Sequence, residues 1–216
     1  MIKILVVSAS PVEESSTDVI LKDLAAQVVS HLGGNRRSKT TFVKLNELDF
    51  VPCQACGEAP TPAWCFFEDG LGPVLRELAE CDCLLFGSPV YFDCVSAQGK
   101  MFIDRCNCFR PPDFASDRAD AGFVKLVDRR RPGAMVLVGG KRGWFEGARR
   151  VVAGFFKWVA VDGEGMIVYH SSDFRERGEA AGDSEVSAKT EALGRDLAEM
   201  VLEGVGHRAA AKGRNL

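Results

Sequence analysis

Short apolar runs alternate along the chain with longer stretches whose apolar residues recur every three or four positions. The runs at 2–7, 83–86, 134–138 and 166–169 are predicted to be strands, since strands buried on both faces of a sheet are almost wholly apolar. The second predicted strand, 40–45, alternates instead. The longer stretches are predicted to be helices, at 17–32, 71–79, 96–104, 148–160 and 185–202. Strands that alternate with helices predict an α/β fold, in which right-handed crossovers join the strands of a parallel sheet.

The length of the chain favours a single domain. It has 216 residues, and we expect one domain over 1–205 followed by a flexible tail at 206–216. Between the third and fourth predicted strands lies a long, charged connection at 110–131 that contains two adjacent prolines. Because connections of this length are uncommon in compact domains, we expect this one to be either mobile or in contact with a partner.

Composition and charge exclude several classes of function. A net charge of -3 lacks the basic footprint of a nucleic-acid-binding protein. No apolar run approaches the length of a membrane span, and the run at 4–7 is too short for a signal peptide. We therefore expect a cytoplasmic protein with no nucleic-acid or membrane partner. Its 8 cysteines are then expected to be mostly reduced, and to be metal ligands or redox thiols before disulfides.

The most informative segment is 86–105, which reads FGSPVYFDCVSAQGKMFIDR. A strand ends near its Gly-Ser-Pro, and Ser96 opens a helix; in an open parallel sheet, ligands bind outside such strand ends. The segment resembles the SPVYF…SAQ.K.FIDR loop of the NADPH-dependent FMN reductase family, a branch of the flavodoxin-like folds. The resemblance implies a flavodoxin-like, doubly wound sheet of five parallel strands in the order 2-1-3-4-5, with helices on both faces. It also implies that FMN is the cofactor.

The loop after the first predicted strand suits a phosphate, because hydroxyls and unpaired amides at a helix start favour an anion. It is similar to the family's loop, approximately SGSPR..SNT, and the likeness implies phosphate binding by Ser8, Ser10, Ser15, Ser16 and Thr17. The alternative is that Ser16 or Thr17 merely caps the helix. Residues 12–14, Val-Glu-Glu, replace a typical basic residue of the family. Two carboxylates disfavour a nearby dianion unless they point to solvent.

The resemblance also implies where the isoalloxazine ring lies, between the loops after the third and fourth strands. One side would be formed by Ser88, Pro89, Val90, Tyr91 and Phe92. The other side would be formed by Gly139, Gly140, Lys141 and Gly143. A flavin ring needs apolar faces and nearby backbone N–H groups, and glycines let the backbone approach closely. The alternative is that Tyr91 and Phe92 are ordinary aromatics that anchor a loop.

Three cysteines, Cys53, Cys56 and Cys65, form a second constellation. Iron–sulfur flavoproteins, which are relatives of the family, ligate a cluster with C-x2-C-x2-C and a fourth, more distant cysteine. The present spacing is similar at three of those places, but Ala59 occupies the third ligand position. A cluster needs four thiolates. We therefore expect a remnant of the motif with no metal rather than an iron–sulfur cluster, and whether these cysteines bind any metal stays open.

The resemblance implies an FMN-dependent NAD(P)H oxidoreductase that passes electrons to a quinone, a flavin or a similar small acceptor. In the mechanism it implies, a hydride passes from the nicotinamide to the flavin, so that no protein side chain is expected to be catalytic. The alternative is a flavodoxin-like or iron–sulfur flavoprotein electron carrier that serves protein partners. A third alternative is a flavin-free interaction module, for which Glu13 and Glu14 are the only argument. Because relatives commonly form homodimers or homotetramers, we expect the same here.

Overall fold

In the part of the chain that the structure describes, five parallel strands form a sheet in the predicted order. The structure, a computed structural model, describes residues 1–55, 65–109, 127, 129–172 and 177–212. Its strands are β1 (Ile2–Ser8), β2 (Ser38–Lys44), β3 (Cys83–Tyr91), β4 (Cys94–Val95), β5 (Arg131–Gly140) and β6 (Val161–Ser171). The order is β2-β1-β3-β5-β6, and the two-residue β4 pairs antiparallel with β3. With β4 set aside, this is the order 2-1-3-4-5, and that prediction is confirmed.

Helices cover both faces of the sheet, as predicted. They are α1 (Ser16–His31), α2 (Gly72–Glu80), α3 (Ala97–Arg105), α4 (Glu146–Trp158) and α5 (Ser184–Lys212). Helices α1 and α5 pack against one face and against each other. Helices α2, α3 and α4 pack against the other face, where Phe86, Phe102 and Phe155 form an aromatic group in the core. Each face of the sheet therefore has its own apolar core.

Strand β1 shows why apolar residues follow one another in this strand instead of alternating with polar ones. Leu5 and Val7 belong to the core on the α2–α4 side, while Ile4 and Val6 belong to the core on the α1–α5 side. Successive side chains of a strand point to opposite faces. Because both faces are covered by helices, successive positions at the centre of the strand, Ile4 to Val7, are all apolar. The apolar runs in the sequence are a direct consequence of this arrangement.

Strands β3, β5 and β6 extend beyond their predicted ends. In β3, the parallel ladder with β5 continues through Gly87, Ser88 and Pro89, where the apolar pattern has already stopped. The ladder of β5 with β6 likewise continues to the pairing of Gly140 with Ser171. Backbone hydrogen bonds decide where a strand ends, whereas the sequence pattern reports only side-chain burial. The pattern therefore found these three strands but placed their carboxyl ends too early.

Helix α5 reaches Lys212, beyond the predicted end at residue 202. The sequence analysis ended the helix there because it assigned 206–216 to a flexible tail. A domain boundary at 205 and a flexible tail at 206–216 stay predictions. Most of the connection at 110–131 lies outside the described residues. Across the ranges given above, no helix is long and apolar enough to cross a membrane.

A buried arginine joins the start of β5 to two helices. Arg131 is only 2% exposed. Its Nη1 donates to the carbonyls of Ala79 at 3.0 Å and Cys81 at 3.2 Å, and its Nη2 donates to the carbonyl of Val159 at 2.9 Å. These carbonyls lie at the carboxyl ends of α2 and α4, where helix dipoles favour a cation. Arg131 therefore satisfies three carbonyls at the amino-terminal end of β5, on the side of the sheet away from the carboxyl ends of the strands.

Replacing this arginine tests its structural role. We expect Arg131→Met to lower the free energy of unfolding by about 3 kcal/mol, because several buried carbonyls lose their donors. Urea denaturation monitored by circular dichroism measures the change. The control is Arg130→Met, whose exposed guanidinium pairs with Asp162 and whose loss should cost less than about 1 kcal/mol. Equal effects of the two substitutions would contradict this account of Arg131.

Candidate functional site

A cavity of about 430 Å³ opens at the carboxyl ends of β1, β3, β5 and β6. Most of the predicted site residues line it: Ser10, Ser15, Ser16, Thr17, Pro89, Val90, Tyr91, Gly139, Gly140 and Lys141. The sequence analysis missed five further lining residues: Val12, Val138, Ser171, Ser172 and Arg177. The volume lies within the range of small-molecule sites, roughly 300–1,000 Å³. The predicted phosphate loop and the predicted ring loops therefore meet at one cavity.

Two predicted residues, Ser8 and Ser88, do not line the cavity. Ser8 Oγ donates to Asp18 Oδ1 at 2.5 Å, and Ser88 Oγ donates to the carbonyl of Pro89 at 2.8 Å and accepts from the amide of Ser96 at 2.9 Å. Both serines are fully buried. The sequence placed them in binding loops because it ended their strands too early. The structure corrects this position: both hydroxyls hold neighbouring segments in place beneath the cavity.

Helix α1 begins with a capping box at the cavity. Ser15 Oγ accepts from the amide of Asp18 at 3.2 Å, and the Asp18 carboxylate accepts from the amide of Ser15 at 3.3 Å. The cap is therefore Ser15, and not Ser16 or Thr17. Among the described residues, the amides of Ser16 and Thr17 have no acceptor. These two donors lie at the positive end of the helix dipole, where an anion is favoured.

A buried ion pair supports the loop that precedes α1. Lys44 Nζ lies 2.5 Å from Asp18 Oδ2, and the two side chains are only 7% and 3% exposed. Lys44 Nζ also donates to the carbonyl of Val12 at 2.7 Å. The lysine at the end of β2 therefore fixes both the loop and the first turn of α1. Its charge offsets the Asp18 carboxylate, which would otherwise oppose an anion at the same helix end.

The two acidic residues of the loop point away from the cavity. Glu13 and Glu14 are both exposed, and neither lines the cavity. Glu14 adopts a positive φ of 50°, which turns the chain at the outside of the loop. The sequence argument for a flavin-free module depended on repulsion between these carboxylates and a phosphate. Because both side chains are directed to solvent, that argument has no support in the structure.

A tight hairpin turn presents the aromatic residues at the end of β3. Phe92 and Asp93 have φ of 51° and 59°, as a type I′ turn requires, although an aromatic residue rarely adopts positive φ. Asp93 Oδ1 accepts from the amide of Gly147 at 3.0 Å and thereby ties the turn to the start of α4. Tyr91 lines the cavity, and partial burial raises the pKa of its hydroxyl. Phe92 does not line it, because the turn directs this side chain into solvent, and its predicted contact with the ring stays a prediction.

The glycines at the end of β5 and in the turn after it differ in what surrounds them. A Cβ at Gly139 would lie 2.8 Å from Cζ of Phe145, so a larger residue does not fit there. At Gly140, no heavy atom of the described residues lies within 4 Å of such a Cβ. The amide of Gly143 donates to the carbonyl of Gly140 at 2.7 Å and closes the turn, but Gly143 does not line the cavity. Gly140 therefore leaves open space at the cavity wall.

The predicted cysteine constellation is only partly within the described residues. Cys53 and Cys65 are half-buried and Cys56 lies outside the described ranges. Arg105 Nε donates to Cys65 Sγ at 3.1 Å, and its two terminal nitrogens bind the carboxylate of Asp69. In the described part of the chain, no three His, Cys, Asp or Glu residues are grouped as a metal site would require. Since Cys56 is not described, the absence of a cluster stays a prediction.

Comparison with known proteins identifies the family. The family model for NADPH-dependent FMN reductase matches residues 2–169. The chain belongs to this family. Two curated relatives are iron–sulfur flavoproteins: one from Methanocaldococcus jannaschii is 32% identical over 108 residues, and one from Archaeoglobus fulgidus is 27% identical over 108 residues. These matches cover 50% of this chain and 53% and 50% of the relatives, so the chain spans about half the length of the curated relatives it matches.

Solved structures show that this FMN reductase family member has a flavodoxin-like fold. An oxidoreductase from Corynebacterium diphtheriae aligns with a TM-score of 0.60 and 15% identity, over 94% of this chain and 98% of that one. A flavodoxin from the domain Archaea aligns with a TM-score of 0.53 and 14% identity, over 93% and 99%. At such identities the likeness shows the fold alone. The family match adds membership of the NADPH-dependent FMN reductase family.

The cavity of this FMN reductase family member fits FMN. At one end, the amides of Ser16 and Thr17 and the hydroxyls nearby suit a phosphate. At the other end, Pro89, Val90 and Tyr91 offer apolar and aromatic surface, and Gly140 leaves room for the backbone to approach a ring. Polar donors at one end and apolar surface at the other match the two halves of the cofactor.

Filling the cavity at Gly140 tests this fit. We expect Gly140→Val to weaken FMN binding at least about tenfold, because the added side chain occupies space that the ring requires. Titration of flavin fluorescence measures the affinity, and chemical denaturation without flavin should show a change below about 1 kcal/mol. Gly154→Val on α4, where a Cβ also has open space around it, is the matched control. Unchanged FMN affinity in Gly140→Val would show that the ring lies elsewhere.

Proposed function

We propose that this family member is an FMN-dependent NAD(P)H oxidoreductase that passes electrons from a reduced nicotinamide to a quinone, a flavin or a similar small acceptor. The observation that carries the proposal is the division of one cavity into an anion-binding end and an apolar end. This division suits FMN, in which a phosphate is joined to a redox-active ring system. The matched family supports the same conclusion.

Each end of the cavity has a distinct task in this proposal. When bound, FMN supplies the redox chemistry, because its ring accepts a hydride and releases electrons. Ser15, Ser16 and Thr17 would hold the phosphate through hydroxyls and amides at the start of α1. Tyr91 would cover part of the ring, and the backbone at Gly140 would bring N–H groups close to its polar edge. The side chains position the cofactor and exclude water, and none of them needs to transfer a proton.

The loop after β5 supports binding of a reduced nicotinamide dinucleotide. Lys141 lines the cavity and is exposed, and the next residue, Arg142, is exposed as well. Cations at the rim of an open site attract a substrate with several phosphate groups. The dinucleotide phosphates would contact this loop, and the nicotinamide would reach the ring end of the cavity. Either NADH or NADPH fits this arrangement.

A second candidate function is an electron carrier that serves a protein partner. Phe92 is fully exposed, and Trp144 in the loop after β5 is 77% exposed. Exposed aromatic residues beside a redox site are typical of surfaces that bind another protein. The likeness to iron–sulfur flavoproteins supports the same alternative. Turnover with small molecules distinguishes the two functions.

The remaining expectations about partners belong to this proposal. A second copy of the chain, as a homodimer or homotetramer, is the expected macromolecular partner, and no nucleic-acid or membrane partner is proposed. A cytoplasmic location is likewise expected from the sequence. These expectations rest on the charge of the chain, its apolar pattern and the resemblance to the family.

Steady-state oxidation of the two nicotinamides tests the proposed function. With excess FMN and a quinone, we expect purified protein to oxidise NADPH or NADH at about 1–100 per second, the ordinary range for enzymes. Reactions without FMN, and reactions without protein, are the controls.

Three results are distinguishable in this assay. Rapid oxidation that requires both FMN and the protein supports the enzyme. Slow oxidation that a partner protein accelerates would favour the electron carrier instead. Failure to oxidise either nicotinamide, with FMN bound and a quinone present, would overturn the proposed oxidoreductase.

A further inference from the structure

Residues 177–180, in the segment between β6 and α5, lie against the start of α1. The amide of Ala180 donates to Ser16 Oγ at 3.2 Å. Gly178 has a φ of 66°, and a Cβ there would lie 3.1 Å from the carbonyl oxygen of Glu14, so the two segments are in close contact. Ser16 lines the anion-binding end of the cavity, and Glu14 lies in the loop just before it. These contacts hold the neighbouring residue Arg177 at the cavity wall.

The same segment is also held by hydrogen bonds between Glu179 and residues at the end of β6. The carboxylate of Glu179 accepts hydrogen bonds from Ser171 Oγ at 2.6 Å and from the amide of Ser172 at 2.9 Å, and it also accepts from Ser172 Oγ. These donors offset the negative charge of Glu179 near the anion-binding end. The hydroxyl groups of Ser171 and Ser172 are thus engaged as donors and are not available to an anion. Among the described residues of β6 and of the segment that follows it, Arg177 is the charged donor that lines the cavity.

The phosphate loop itself supplies no cation. Residues 8–17 contain no Lys or Arg, and they contain Glu13 and Glu14. Lys44, beneath the loop, is already paired with Asp18. Two cations line the cavity among the described residues. Lys141 follows Gly140 at the ring end, whereas Arg177 lies three residues before Ala180, which contacts the start of α1. Arg177 is therefore placed to supply the positive charge that the loop after β1 lacks.

We propose that Arg177 binds the phosphate of FMN, opposite the amides of Ser16 and Thr17, and makes the site selective for FMN over riboflavin. A planar guanidinium can donate two parallel hydrogen bonds to a phosphate. The residue lies beyond the part of the chain that the family model matches, 2–169. The proposal rests on the proposed FMN-dependent function, and it names the residue that supplies the missing cation.

Binding of two flavins that differ only in the phosphate tests the proposal. We expect Arg177→Gln to weaken FMN binding about 10- to 100-fold, the loss expected for a hydrogen bond between charged groups, and to leave riboflavin binding within about twofold of wild type. Arg177→Lys should recover part of the FMN affinity, because it restores the charge without the paired donors. Flavin fluorescence titration gives the dissociation constants of both flavins for the wild type and for each variant.

Arg195→Gln is the matched control, since it makes the same charge change on an exposed part of α5. It should leave the affinity for both flavins unchanged. Equal loss of FMN and riboflavin affinity in Arg177→Gln would indicate a structural role for the segment, and unchanged FMN affinity would indicate no role. Either result overturns the proposal. Wild-type protein that binds neither flavin would instead overturn the FMN-dependent function itself, so the two failures are distinguishable.

Discussion

The candidate site depends on the buried ion pair between Asp18 and Lys44. Through it, the loop after β1, the first turn of α1 and the end of β2 are held together, because Asp18 also binds Ser8 and Ser15 and Lys44 also binds the carbonyl of Val12. A buried charge without its partner is strongly destabilising, so neither member can be lost alone. The pair also removes an electrostatic conflict. With its charge offset by Lys44, the Asp18 carboxylate can complete the capping box without repelling an anion at the same helix end.

The ring end of the cavity is held by different means. There, a turn with two residues at positive φ is fastened to the start of α4 by the Asp93 carboxylate. Residues in sparsely populated backbone regions persist only where surrounding contacts hold them, and they cluster at functional sites. Gly139 and Phe145 fit together closely on the opposite wall, whereas Gly140 leaves space. Electrostatics therefore organise one end of the cavity, and backbone geometry organises the other.

The sequence predicted the frame of the fold well, since buried parallel strands such as β1 are almost wholly apolar. It also predicted that the loops after β1, β3 and β5 share a site, because parallel strands bring their carboxyl ends to one edge of the sheet. It placed Ser8 and Ser88 in loops because side-chain polarity does not mark the end of a hydrogen-bonded ladder. The two-residue β4 is too short to have a pattern, and its turn lacks the usual glycine or asparagine. Without that turn, the exposure of Phe92 could not be predicted.

Arg177 illustrates what a sequence pattern does not contain. Nothing around it resembles a phosphate-binding motif, and its position at the cavity depends on contacts between segments far apart in the chain, such as that of Ala180 with Ser16. The missing basic residue at 12–14 was visible in the sequence. Arg177, the residue that we propose in its place, could be identified only from the three-dimensional structure.

The central claim is that the start of α1 binds the phosphate of FMN while the loops after β3 and β5 bind its ring. Backbone amide chemical shifts in ¹⁵N-labelled protein, recorded during titration with FMN and with riboflavin, test it most directly. The account predicts that FMN shifts the amides of Ser16 and Thr17 and riboflavin does not, while both flavins shift those of Gly139 and Gly140. If FMN shifts the glycine amides but leaves Ser16 and Thr17 unchanged, the phosphate lies elsewhere and the account is wrong.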